Sequence, residues 1–68
     1  MYSFIMILFL QTKVGIELEI YRYYSEESNY VLAYDMCMDE VESHIFDTSD
    51  SEEASVIAGV CLKNGDVR

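Results

Sequence analysis

His44 is the one histidine in the chain, and the groups beside it pose the first chemical question. Ser43 precedes it and Asp47 follows three positions on. These are the residue types of a Ser-His-Asp triad. A triad is defined by hydrogen-bond geometry rather than by adjacency in sequence, and no nucleophile elbow surrounds any serine here. Asp39 and Glu40 put two carboxylates side by side, as acid–base catalysis requires, but in a stretch this acidic such pairs arise without catalytic cause. Three glycines in the whole chain make no Gly-rich phosphate loop. Sixty-eight residues also leave little chain to wall a pocket of ordinary ligand volume. The expectation is a protein that is not an enzyme and that carries no cofactor.

Metal chemistry fares no better. Asp47, Ser49 and Ser51 resemble the opening of a calcium loop, but its sixth position is Glu52 where glycine is needed. Its twelfth is Ala58 where a bidentate glutamate is needed. Cys37, His44 and Cys61 match no zinc-ligand spacing and lack a fourth ligand. No metal site is expected. The two cysteines lie 24 residues apart and are expected as reduced, semi-buried thiols, since a single pair does not make a secreted disulfide framework.

What the sequence does concentrate is negative charge. Ten of the thirteen acidic residues fall between Glu26 and Glu53, a stretch with no Lys or Arg, and the net charge is −9. That balance excludes direct binding to nucleic acid or to an anionic membrane, both of which need clustered cations. The fitting partner is a basic protein, and acidity by itself also confers solubility. Five tyrosines, Tyr21, Tyr23, Tyr24, Tyr30 and Tyr34, accompany the acids. Tyrosine among carboxylates on an exposed face suits an interface with aromatic anchors and a charged rim; covering a small core or a homodimer contact are the rival uses. The candidate partner-binding set is Glu17, Glu19, Tyr21, Tyr23, Glu26, Glu27, Asp35, Asp39, Glu40, Glu42 and Asp47.

The elements that must position these residues are read from periodicity. The chain is one domain, too rich in apolar residues (51%) for a disordered acidic tail. Tyr2 to Leu10 is apolar on both alternating sets, which predicts a central strand covered on both faces or covered by a partner chain. It lacks the positive start and cleavage site of a signal peptide and has about half the length of a membrane span, so a cytoplasmic protein is expected. Gly15 offers a positive φ at the following turn. Ile16 to Tyr24 then alternates, predicting a strand with Ile16, Leu18 and Ile20 inward and Glu17, Glu19, Tyr21 and Tyr23 outward. Ser25 to Asn29 is a turn, with Asn29 its αL residue. Tyr30 to Met38 predicts a third strand with Tyr30, Leu32, Tyr34, Met36 and Met38 as the core set. Val41 to Phe46 predicts a short fourth strand, preferred over a continuing helical turn because Val, Ile and Phe favour strand and no cap is evident.

Ser49 with Glu52, and Asp50 with Glu53, have capping-box spacing. Ala54, Ile57, Ala58, Cys61 and Leu62 follow on one helical face, and Asn64-Gly65 supplies a stop. Gly59 and the β-branched Val56, Ile57 and Val60 favour a strand instead. The fold class expected is α+β: a three- or four-stranded antiparallel meander followed by one C-terminal helix packed on the sheet. Strands followed by Asp-Ser-Glu-Glu-Ala (Asp50 to Ala54) at a helix start resemble small sheet-plus-helix modules such as HicB-type antitoxins and small phage inhibitors. The resemblance spans five residues and carries no functional residue over.

These features together predict an acidic, nucleic-acid-mimic inhibitor that occupies the basic groove of a nucleic-acid-binding protein. Its size and charge suit the kind of inhibitor that a phage or other mobile element would turn against host nucleases or CRISPR complexes. The alternative is an antitoxin-like or structural module whose acidity only keeps it soluble. A homodimer is also expected, because one helix covers one face of a sheet and leaves Ile5, Ile7 and Phe9 open beside Tyr21 and Tyr23.

Overall fold

The computed structural model describes residues 2–64. In chain order it comprises β1 (Tyr2–Thr12), β2 (Gly15–Ser25), α1 (Tyr30–Thr48) and β3 (Ala54–Lys63). The strands form one antiparallel sheet in the order β2-β1-β3, so the α+β class holds with three strands rather than four. β1 is the central strand, as its two apolar sets require. The hairpin to β2 closes with Thr12 opposite Gly15. Gly15 takes φ 135°, and the Thr12 hydroxyl ties the turn by donating to the Gly15 carbonyl (2.9 Å) and accepting from the Val14 N–H (3.2 Å).

β2 and β3 run parallel to each other at opposite edges. The chain between them must therefore cross the sheet, and a crossover of this length is ordinarily helical. That requirement overturns the expected third and fourth strands: Tyr30 to Met38 and Val41 to Phe46 belong to one helix of 19 residues. Asn29 is its N-cap rather than an αL turn residue. It sits at φ −99°, ψ 121°, and its Oδ1 accepts the Leu32 N–H at 3.2 Å. Ala33, Cys37 and Val41, at i, i+4 and i+8, are the buried positions, whereas Leu32 and Met36 from the expected core set are exposed.

The expected C-terminal helix is also overturned, since Ala54 to Lys63 is strand β3. The predicted caps serve other purposes. Ser51 Oγ accepts from the Glu53 and Ala54 N–H groups (3.3 and 3.4 Å), a serine turn that opens the strand. Val56 and Cys61 are buried while Ile57, Ala58 and Leu62 are exposed, so the supposed helical face does not exist. A register shift between Phe9 and Leu10 leaves Ile57 as the extra residue of a bulge. The Asp50–Ala54 resemblance thus rests on a strand start. Asn64 ends β3 by donating its N–H to the Ser3 carbonyl (2.9 Å) and its side-chain amide to Ser3 Oγ (3.2 Å). Gly65, the second half of the expected stop, lies outside the described residues.

The core is one cluster of Phe4, Met6 and Leu8 from β1, Ala33, Cys37 and Val41 from α1, and Val56 and Cys61 from β3. Cys37 and Cys61, expected as separate thiols, are joined as a disulfide with their Cα atoms 6.4 Å apart. The bridge ties α1 to β3 in a domain whose small core leaves a narrow margin of stability. The register also reverses β2. Phe4, Met6, Leu8 and Leu10 stand opposite Tyr23, Tyr21, Glu19 and Glu17, placing these four on the helix side. Ile16, Leu18 and Ile20, expected to point inward, share the far face with Gln11, Phe9 and Ile7. Among the described residues, no helix is long and apolar enough to cross a membrane.

Candidate interaction surface

α1 lies chiefly over β3 and meets β1 and β2 at fewer points. One of them is Tyr21, whose ring stacks on His44 with centroids 6.2 Å apart and an 8° interplanar angle. Glu19 stands beside it and accepts the Tyr21 hydroxyl hydrogen at 2.6 Å. That bond, then burial and the Glu19 charge, raises the Tyr21 phenol above the ordinary tyrosine value of 10.0. Sequence reasoning placed His44 beside Ser43 and Asp47; the fold gives it a tyrosine face instead.

The helix arranges its carboxylates in two rows. Asp35, Asp39 and Glu42 follow at i, i+4 and i+7 and share the outer face. Glu40 and Asp47, seven apart, flank His44 on the side stripe. All five are exposed, and α1 contains no Lys or Arg. Glu17 and Glu19 extend the acidic surface from β2, and both are exposed. Glu26 and Glu27 lie in the β2–α1 connection, where the Glu27 N–H donates to Ser25 Oγ at 3.2 Å. Glu26 is exposed and Glu27 half-buried. The candidate residues therefore stand on three elements, with α1 carrying the densest part.

The tyrosines divide. Tyr30 and Tyr34 join Tyr2 and Phe4 in an aromatic cluster with centroids 5.3 to 6.3 Å apart. Lys63 Nζ stands 5.7 Å from the centroid of the Tyr30 ring. Tyr23 packs against the core, so three of the six tyrosines close the helix–sheet seam near Phe4 and a fourth covers the core. Tyr21 is exposed and bonded to one of the acids, while Tyr24, also exposed, stands opposite Ser3 on the far face of the sheet. The aromatic anchor that the sequence reading missed is Phe46, assigned there to a strand. It is 79% exposed and borders an open depression with Glu42, Ile45 and Ser49 at the end of α1. Its spacing from Asp35 and Glu42, eleven and four residues, was the available signal once the segment is taken as helix.

Among the described residues, no three His, Cys, Asp or Glu side chains converge to hold a metal ion. What the arrangement can do chemically is present fixed negative charge beside exposed apolar groups. Compared with protein-family models, curated proteins and solved structures, the chain matches none.

Proposed function

We propose that the protein is a non-enzymatic interaction protein whose acidic surface occupies the basic, nucleic-acid-binding surface of a protein partner and blocks it. The observation behind this reading is the double row of exposed carboxylates on α1, unrelieved by any cation on the helix and continued by Glu17 and Glu19. Along the outer row the steps from Asp35 to Asp39 to Glu42 are about 6 Å and about 4.5 Å of helix rise. Successive phosphates of a DNA strand are about 3.4 Å apart along the axis and alternate ones about 7 Å, so these steps fall between the two spacings that a groove built for phosphates meets. Such a surface steers a basic partner at long range and then excludes its nucleic acid. Phe46 and Tyr21 supply the apolar contacts that charge alone lacks. Size and charge suit an inhibitor of the phage or mobile-element kind, an anti-nuclease or anti-CRISPR protein.

The test is displacement of labelled duplex DNA from a basic nuclease complex, measured across salt. Binding that weakens steeply with salt, and that Glu40→Lys with Glu42→Lys and Asp47→Lys abolishes, fits the proposal. Affinity indifferent to salt, or a ternary complex that keeps its DNA, sinks it. An antitoxin-like or assembly module is the alternative, favoured by the open apolar face of the sheet; the triple charge reversal would then be tolerated. In the cytoplasmic setting expected from the sequence, Cys37 and Cys61 would be held as a dithiol. In oxidising surroundings the bridge closes.

A further inference from the structure

We infer that the far face of the sheet is the contact between two copies of this chain, packed back to back. An antiparallel sheet with one solvated face ordinarily turns polar side chains to water. Here the arrangement is the reverse. The uncovered face carries Ile5, Ile7 and Phe9 from β1, opposite Arg22, Ile20 and Leu18 of β2 and Leu62, Val60 and Ala58 of β3. Ile16, Leu18 and Ile20 are 54%, 56% and 64% exposed.

Three observations select a second copy as the occupant. The first is extent. About seven residues along each of three strands give a footprint of about 24 Å by 14 Å. That footprint, filled by apolar side chains that include the exposed Ile16, Leu18, Ile20 and Leu62, reaches the few hundred Å² at which apolar patches mark contact sites, and the smaller specific interfaces need roughly 600 Å² per partner. The second is charge. No acidic residue of the three strands lies on this face, whose single strand charge is Arg22, and the five carboxylates of α1 lie on the helix across the sheet. A partner recruited by charge has nothing to hold there, while a second apolar sheet does. The third is placement. Stacked sheets sit about 10 Å apart, and α1 with its carboxylates lies on the outer side of each. The two acidic surfaces are then kept apart by both sheets, beyond the ~8 Å over which charges act at physiological salt. The sandwich aligns two sheets as aligned β-sandwich layers do, with the bulge at Ile57 and the twist setting the angle. This contact does not depend on what the acidic surface binds, so either reading can fail without the other.

Light scattering and sedimentation of the full chain across micromolar concentrations decide it, with circular dichroism and an intact Cys37–Cys61 bridge as checks of folding. The expected mass is twice 7.9 kDa. Ile20→Glu, which puts a carboxylate into the contact, is expected to weaken dimerisation by about 30-fold or more. Leu62→Ser is the milder variant on the opposite edge of the same face and should weaken it in the same direction; it decides alone if Ile20→Glu does not fold. Phe46→Ser, on the far side of the helix, should leave the dimer intact. A mass of one chain at every concentration overturns the inference, including the case in which that monomer instead partitions onto phosphatidylcholine vesicles. So does a dimer that folded Ile20→Glu and Leu62→Ser leave unchanged, or one lost on Phe46→Ser.

Discussion

Gly59 on β3 faces Val41 on α1 so closely that a Cβ at position 59 would lie 2.6 Å from Val41 Cγ1. The same atom would meet Leu8 Cδ2 at 2.9 Å and the Ile7 carbonyl oxygen at 3.2 Å. The glycine is what lets the helix seat on β3 at this point, and both neighbouring side chains belong to the buried core.

Gly59→Ala is therefore expected to destabilise the fold by about 1–3 kcal/mol through overpacking. Adding Val41→Ala should return part of that loss by vacating the space, despite its own deletion cost. Urea unfolding of the three variants checks the coupling; equal effects of Gly59→Ala in both backgrounds would mean that Val41 is not the obstacle.

The disulfide joins residues 24 positions apart, across most of α1 and the loop into β3. Reduction, or replacing both cysteines by alanine, is expected to cost about 3.5 kcal/mol on the chain-entropy account, a large share of what a 68-residue domain has. Thermal unfolding with and without reductant measures it. An unchanged midpoint would show that the packing of α1 holds without the bridge.

The outline of the sheet's first half was legible because it rests on local signals. The double apolar sets of Tyr2 to Leu10 mark a central strand, and Gly15 marks the turn. The second half was not, for two physical reasons. Residues 30–48 bury a narrow stripe of small side chains, Ala33, Cys37 and Val41, while Val31, Leu32, Met36 and Phe46 stay exposed. Their helical period is therefore faint and a period of two fits short windows equally well. At residues 49–53, Ser and acidic residues satisfy helix-capping spacing, yet the chain must return along the free edge of β1, and tertiary pairing overrides the local preference. The inversion of β2 has the same origin. Apolar residues normally point to the core, and Ile16, Leu18 and Ile20 do not, because pairing with β1 sets them on the far face, while α1 lies chiefly over β3. Of the candidate site, the acids are exposed as their type suggests, but their grouping into helical rows depends on an element the alternation had assigned to strands.

Asn29 is the device that starts α1 after the Glu26–Ser28 connection. Its side chain satisfies the Leu32 N–H, and its carbonyl accepts the Ala33 N–H at 3.0 Å. Asn29→Ala removes the first bond only and should cost about 1 kcal/mol, while Asn29→Asp should hold stability close to the native value. Chemical unfolding distinguishes the two, and equal losses would argue against a capping role.

The Tyr21–Glu19 pair yields a dependence on pH whose sign follows from the hydrogen bond. The bond exists only while the phenol holds its proton, so the folded protein keeps that proton to higher pH than the unfolded chain, where tyrosine titrates near 10.0. The contribution to stability is fully present below that value and is lost as pH rises through the folded pKa. Tyr21→Phe removes this dependence at alkaline pH and, near neutrality, takes away the bond's own contribution to stability while leaving stability there independent of pH through this group. Glu19→Gln retains an acceptor but removes the charge, so the Tyr21 titration should move back towards the ordinary range. With six tyrosines in the chain, the Tyr21 signal is obtained as the difference in phenolate absorbance between the native protein and Tyr21→Phe. A difference curve centred at or below the ordinary tyrosine value would show that the Glu19 carboxylate does not accept this bond in solution.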